Sequence, residues 1–229
     1  MMQLVTVLIF ALIWSAPAQN INNTYLRPAN GSFMICPGQP CLTLNQLAEN
    51  SERHVISSNT TLVLLAGDHV LQRKLSLNIN SYTSVMVLRG VSSTVRIFFQ
   101  NKNAMIVLKN AHNFTIENIT FMLHFYHSAF SIFRSQGTIT SCMFLGRETN
   151  KFSSQIRTIY CESSNVTVLN SLFQRNQPKA ITCRKRGNLT ISGCKFIHNG
   201  PGNVIESFSR MNIIITESVF EQNSGRALN

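Results

Sequence analysis

The sequence predicts an all-β solenoid, a parallel β-helix of about seven rungs behind a short N-terminal capping helix. The first observation is a unit that the chain repeats. Gly187-Asn-Leu-Thr-Ile-Ser-Gly-Cys-Lys-Phe-Ile-His-Asn199 has close copies at Asn165–Asn176 and Asn212–Asn223, and looser ones at Asn113–Phe121 and Gly137–Phe144. The second is the period. Equivalent aliphatic positions Ile116, Ile139, Val168, Ile191 and Ile215 are 23, 29, 23 and 24 residues apart, and Leu64 and Leu88 extend the series backwards by steps of 24 and 28. Self-similarity at this length marks a repeat architecture. Leucine-rich repeats share the length, but their L-x-x-L-x-L pattern is missing. The third is that each period holds short alternating strands separated by Asn, Gly and Ser, with no helical segment. One such rung cannot bury its apolar face. Stacked at about 4.8 Å, the rungs bury it jointly.

Residues 1–18 read as a signal peptide, not as part of the fold. Leu4–Trp14 is too short an apolar run to span a bilayer comfortably, and Ala16-Pro17-Ala18 is a small-x-small cleavage site. Its n-region lacks Lys and Arg. The mature chain is expected to begin at Gln19 and to be secreted, and no second apolar run long enough for a transmembrane anchor occurs in this sequence. Residues 19–35 form a polar, Asn-rich lead-in expected to be poorly ordered. Residues 36–58 open with Cys36-Pro-Gly-Gln-Pro-Cys41, a turn that allows a local Cys36–Cys41 bridge. Leu44, Leu47 and Ala48 then recur at helical spacing behind Thr43, a candidate N-cap. This helix is expected to cover the end of the sheet structure, since an open edge invites aggregation.

Residues 59–229 are the solenoid. Strands are expected at Thr61–Leu65, Leu75–Ile79, Val85–Leu88, Thr94–Phe98 and Met105–Leu108, with a turn at Ala66–His69. The 28-residue step predicts a bulge near Gln100–Asn103. The 29-residue step predicts an insertion over Arg147–Gln155. Insertions in solenoids become loops, often on the binding face, so Arg147, Lys151 and Phe152 are a candidate binding loop. Ser224–Asn229 aligns with Gln177–Thr182, so another rung starts where the sequence stops. The chain is therefore expected to be truncated at its C-terminus.

Stacking aligns the five aliphatic residues as one internal ladder and Phe121, Phe144, Phe173, Phe196 and Phe220 as a second. Asn176, Asn199 and Asn223 recur at one corner, where side-chain amides can satisfy turn backbone. Cys161 and Cys183 fall at matching positions of consecutive rungs, within disulfide reach. Cys142 and Cys194 also match, but Ser171 occupies the rung between them. Two rungs is about 9.6 Å, beyond the roughly 7 Å limit. A Cys161–Cys183 bridge is expected, with Cys142 and Cys194 free and buried.

These residues carry a resemblance. Phe173-Gln-Arg-Asn176, Phe196-Ile-His-Asn199 and Phe220-Glu-Gln-Asn223 resemble the F-x-x-N motif of the polymorphic outer membrane protein repeat. Lys179-Ala-Ile181 and Gly225-Arg-Ala-Leu228 are similar to degenerate copies of its companion G-G-A-I/L. The resemblance implies a right-handed parallel β-helix of the pectin-lyase-like superfamily, and adhesion as a family function. The cysteine–helix–strand opening from Cys36 to Leu71 also resembles secreted invertebrate β-helix proteins. Phe121 and Phe144 depart from the motif, being followed by His124 and Arg147 where Asn is expected, and the doubled Gly is missing.

Seven Asn-x-Ser/Thr triplets, at Asn22, Asn30, Asn59, Asn113, Asn118, Asn165 and Asn188, are candidate glycosylation sites. Three of them, Asn113, Asn165 and Asn188, share one outward position of the repeat. The formal net charge is +11. For a secreted chain this points to acidic or sulfated glycans or cell-surface proteins as partners, and away from nucleic acid. Catalysis finds little to work with. Glycoside hydrolysis generally needs two carboxylates, and a calcium-dependent lyase needs several oxygen ligands. The chain has a single Asp, Asp68 beside His69, and Glu162, Glu206, Glu217 and Glu221 are dispersed. His124 and His127 lack a third ligand. No cofactor or metal is expected. The expected function is a secreted, glycosylated, non-catalytic adhesion, matrix or glycan-binding module. The alternatives are a polysaccharide lyase or glycoside hydrolase, and a structural fragment of a larger extracellular protein.

Overall fold

The computed structural model describes residues 22–29, 42–51, 60–78, 85–123, 128–146 and 157–229. The predictions for the leader, for Asn30, Asn59, Cys36, Cys41, His124 and His127, and for the loop of Arg147, Lys151 and Phe152 lie outside these residues.

Each rung contributes one strand to each of three parallel sheets. The first rung is β3 (Thr60–Leu64), β4 (Gly67–Leu71) and β5 (Lys74–Asn78). The second is β6 (Val85–Gly90), β7 (Val95–Phe99) and β8 (Met105–Lys109), and the third β9 (Asn113–Glu117), β10 (Thr120–Leu123) and β11 (Phe130–Phe133). The fourth is β12 (Gln136–Thr140), β13 (Met143–Gly146) and β14 (Arg157–Glu162), and the fifth β15 (Asn165–Leu169), β16 (Leu172–Gln174) and β17 (Lys179–Arg184). The sixth is β18 (Gly187–Ser192), β19 (Lys195–Ile197) and β20 (Ile205–Phe208). A seventh begins with β21 (Met211–Thr216) and β22 (Val219–Glu221), and Leu228 bridges back to Ile205. Sheet one runs β3-β6-β9-β12-β15-β18-β21, sheet two β4-β7-β10-β13-β16-β19-β22, and sheet three β5-β8-β11-β14-β17-β20.

Two further strands, β1 (Asn22–Arg27) and β2 (Leu42–Thr43), extend sheet one beyond the first rung. The lead-in was expected to lack order, and β1 corrects this. Leu26, fully buried, sits opposite Leu64; an Asn-rich stretch around that anchor leaves no alternation to read. Helix α1 (Leu44–Ser51) forms as predicted, burying Leu44 and Ala48 against β4 and β5. Thr43 caps it: the Gln46 N–H donates to Thr43 Oγ1 at 3.2 Å, and the Thr43 N–H donates to Gln46 Oε1 at 2.8 Å. This is a capping box closed by Gln.

The aliphatic ladder holds from Leu88 through Ile116, Ile139, Val168 and Ile191 to Ile215. One step differs. Leu88 pairs with Leu62, and Leu64 pairs with Gly90. A slip of two residues keeps the same face, so alternation could not separate the two registers. The phenylalanine ladder is continuous. Ring centroids from Phe121 through Phe144, Phe173 and Phe196 to Phe220 are 5.0, 4.6, 4.8 and 4.7 Å apart, and the rings lie within 16° of parallel. Gly137 makes room for Phe114 on the rung before it, since a Cβ there would lie 2.5 Å from that ring.

The corners explain the Asn and Ser of the repeat. Asn118, Ser141, Asn170 and Glu217 adopt positive φ between sheets one and two, as does Gly193. The N–H groups of Asn118, Ser141, Asn170 and Gly193 carry the inter-rung ladder round the bend, as in Ser141 N–H to Leu169 O and Asn170 N–H to Ser192 O. The next residue lends a small polar atom to the rung before it: Ser171 Oγ accepts from the Cys142 N–H, and Ser218 Oγ from the Cys194 N–H, both at 3.2 Å. Cys142 and Cys194 thus occupy serine positions. Both thiols are free, and burial pushes them up, Cys142 to about 12. Cys161 and Cys183 pair in register on β14 and β17 and are bridged, with Cα atoms 4.5 Å apart.

The Ala66–His69 turn is a second correction. β4 already starts at Gly67, and His69 is a fully buried inward residue, two rungs below Phe121 in the same column. Its Nε2–H donates to the Leu65 carbonyl at 2.8 Å, while Nδ1 has no partner. Burial holds the imidazole below its usual range, against the weaker pull of Leu65 O and Asp68. The unfolded chain therefore binds a proton that the folded one refuses, and stability falls with pH once the free histidine protonates, below about 6.5. Urea unfolding between pH 7.5 and pH 5 is expected to show this loss, and His69→Leu to flatten the slope. An unchanged slope in the variant assigns the acid sensitivity elsewhere.

Candidate functional site

The outer faces of the three sheets differ in chemistry. Sheet one presents a column of Thr115, Thr138, Thr167 and Thr190 beside Asn113, Gln136, Asn165 and Asn188. From the second rung onward this face is neutral apart from the ion pair of Arg89 with Glu117. Asn113, Asn165 and Asn188 are exposed here, and Asn118 is exposed at the corner. Asn188 donates its N–H and its Nδ2–H to Asn165 Oδ1, at 3.0 and 3.1 Å. Sheet two is more apolar outside, with Met122, Met143, Leu145 and Leu172, and a peripheral Arg96–Asp68 pair at 2.6 Å. Asp68 therefore holds an arginine across rungs.

Sheet three is the basic face. Its central outward column is Ser76, Val107, Ser131, Tyr160, Thr182 and Glu206, and the flanking column is Asn78, Lys109, Phe133, Glu162, Arg184 and Phe208. A groove of about 470 Å³ runs along rungs one to four, floored by Val107 and Ser131 and edged by Lys74, Lys109, Phe133 and Arg134, with Glu162 at its upper end. Rungs one to five each supply a cation to this face: Lys74, Lys109, Arg134, Arg157 and Arg184. Among the described residues none of these five is in an ion pair. Sheets two and three are joined by Gln100–Ala104 in the second rung, where the 28-residue step predicted a bulge.

In the upper rungs the face carries its own acids, each committed to a cation. Glu206 is buried and takes Lys179 Nζ on both oxygens at 2.7 Å. Glu162 pairs with Lys185 at 2.5 Å and accepts from the Tyr160 hydroxyl at 2.6 Å. The Lys185 ammonium, and then the Tyr160 hydroxyl, hold Glu162 below the usual carboxylate range. Burial, and then donation to Glu162, push the Tyr160 phenol up. Glu217 and Glu221 are exposed on the last rung. Among the described residues no three His, Cys, Asp or Glu side chains converge.

The profile of the family described as right handed beta helix region matches residues 99–229, more than half of the chain. The chain belongs to the right-handed beta helix family. Neither curated proteins nor solved structures return a match. The family fixes the hand of the coil, in keeping with the right-handed rule for parallel crossovers, but not its ligand. In this right-handed beta helix the basic face rests on sheet register. Lys74, Lys109, Arg134, Arg157 and Arg184 share no motif and no constant spacing. One signal was available: aligning Cys161 with Cys183 sets Tyr160 opposite Thr182 and Glu162 opposite Arg184.

Proposed function

We propose that this protein is a secreted, glycosylated right-handed beta helix that binds linear acidic or sulfated glycans along sheet three, as an adhesion or matrix module. The observation that carries the reading is five cations over five rungs, Lys74 and Arg157 toward one edge of sheet three and Lys109, Arg134 and Arg184 toward the other, none of them in an ion pair among the described residues. Rungs repeat at about 4.8 Å, comparable to the rise of an extended pyranose chain, so an anionic glycan lying along the axis meets a cation at each step. Phe133 and Tyr160, in T-shaped contact at 5.8 Å, add apolar surface for sugar rings. The sequons at Asn113, Asn118, Asn165 and Asn188 lie on sheet one or its corner, so glycans there leave sheet three open. The leader and sequons support secretion. The hydrolase alternative finds no proton donor in Glu162, whose carboxyl Lys185 and Tyr160 hold below the usual range.

The test is retention on immobilised sulfated and uronate glycans, against neutral ones, across a salt series. Binding is expected at low ionic strength and is expected to weaken with salt. Lys109→Gln combined with Arg134→Gln is expected to weaken it about three- to tenfold, at up to ~1 kcal/mol per exposed pair. No retention at low salt overturns the reading.

A further inference from the structure

We propose that Arg157 and Arg184, with Thr182 between them, form an oxyanion clamp that takes a sulfate or carboxylate group at rungs four and five. The inference rests on the groove reading for its physiological ligand but not for its chemistry. Thr182 occupies an outward position of sheet three, yet it is fully buried, and its Oγ1 has no hydrogen-bond partner. The Nε–H donors of Arg157 and Arg184 are likewise buried and unpartnered. Most buried polar groups in native proteins are satisfied, and an orphan points to a bound water or ion. Here three of the five such atoms among the described residues lie on one patch.

The register brings them together. Thr182 is opposite Tyr160, and Arg184 is two residues beyond Thr182 on the same face. Each guanidinium lies over a ring: Arg157 is 4.8 Å from the Tyr160 centroid and Arg184 is 4.6 Å from that of Phe208. Neither makes an ion pair or a hydrogen bond among the described residues. Stacking fixes the plane of a guanidinium while leaving its edge donors unused, the arrangement suited to a planar or tetrahedral oxyanion. The acids nearby make their hydrogen bonds to other groups, although Glu162 also feels the Arg184 charge. Glu162 is taken by Lys185 and Tyr160, and Glu206 by Lys179. The Thr182 hydroxyl supplies a donor that turns to suit the ligand.

Inorganic sulfate is titrated into the full chain at constant ionic strength against chloride, with the arginine Nε–H resonances followed by NMR. Saturable shifts confined to Arg157 and Arg184 are expected. Uniform, non-saturating shifts over all arginines overturn the clamp and indicate water at the orphan atoms. Arg157→Lys and Arg184→Lys keep the charge and lose the fork, so each is expected to weaken a sulfated glycan about tenfold, as for a lost charge-assisted hydrogen bond. Unchanged affinity in both variants overturns the clamp while leaving the groove standing. If wild type binds no polyanion, the groove reading fails and the sulfate titration alone decides the clamp. Thr182→Val covers the case in which the arginine variants do not fold. It relieves an orphan hydroxyl, so it is expected to keep or raise the melting temperature while weakening sulfate about threefold or more. Sulfate affinity equal to wild type in that variant removes Thr182 from the site and overturns the clamp as drawn. Sulfated, desulfated and polyuronate glycans in parallel distinguish the two sources of the oxyanion.

Discussion

Phe173→Ala is expected to lower the unfolding free energy by about 3–5 kcal/mol, the range for deleting a buried aromatic ring. The high end applies here for a geometric reason. Phe173 is fully buried between Phe144 at 4.6 Å and Phe196 at 4.8 Å, with all three rings nearly parallel. Above and below, β16 is hydrogen-bonded to β19 and β13, so the rungs cannot close over the hole. Domain stabilities are typically about 5–15 kcal/mol, so the loss is a large share of the total. In a solenoid it also falls on both nearest-neighbour interfaces of one rung. Phe220→Ala is the internal comparison. That ring is only partly buried, stacked on Phe196 on the last rung, and roughly half the loss is expected. Urea denaturation of both variants gives the difference. Equal losses at the two positions would falsify the view that stacking on both faces sets the cost.

The parts of this fold that were legible in the sequence are those repeated in fixed phase. Phe-x-x-Asn recurs at Phe173, Phe196 and Phe220, and once one copy is placed the others follow, together with the Cys161–Cys183 pairing. Legibility fades where the repeat does. At Leu62 and Leu64, two inward leucines offer registers that differ by a whole pleat, and only the neighbouring rung chooses. At His69 the column holds a histidine where later rungs hold phenylalanine. A Gly-Asp-His string read locally as a turn is in fact a strand with its polar residue turned inward. β1 shows the limit differently: Asn22–Arg27 has no pattern of its own and is recruited by the open edge of β3.

The candidate site was less legible than the fold, and the reason is physical. A core ladder needs the same residue type on every rung, so it writes a period. A charged face needs only one cation somewhere on each rung. Lys74 and Lys109 come from strands, Arg134 from a corner, and Arg157 and Arg184 from strands again. Their spacing carries the irregular lengths of the connections between sheets two and three. The net charge announced that such a face should exist, and only the stacking order shows which side of the coil holds it.

The asparagine corner supplies the other large effect, and it separates two accounts of what holds the repeat. Asn199 is fully buried. Its Nδ2–H donates to Phe173 O at 3.0 Å and to Asn223 Oδ1 at 2.9 Å, while its Oδ1 accepts from the Asn176 N–H at 2.9 Å. Asn199→Ala leaves the buried Asn176 N–H without a partner and removes the side-chain donor from the Phe173 carbonyl, which keeps its place in the β16–β19 ladder. At roughly 1–3 kcal/mol for the orphaned N–H and about 1 kcal/mol for the lost side-chain bond, the loss is about 2–4 kcal/mol. Asn199→Asp is expected to do no better near neutral pH. It keeps the acceptor for Asn176 but replaces the donor to Phe173 O with a second carboxylate oxygen, and it buries a charge. Asn223→Ala, where the ladder is only partly buried, is expected to cost less than half as much, because water can reach the groups it frees. Thermal and urea unfolding of the three variants decide between the accounts. The backbone bonds at the same corner, Gly200 N–H to Asn176 O and Ser224 N–H to Asn199 O, remain in every variant. If Asn199→Ala costs under about 1 kcal/mol, those bonds hold the bend and the amide ladder merely follows it. A loss in the expected range means that the side chains set the corner, and it explains why the repeat spells Asn there and no other polar residue.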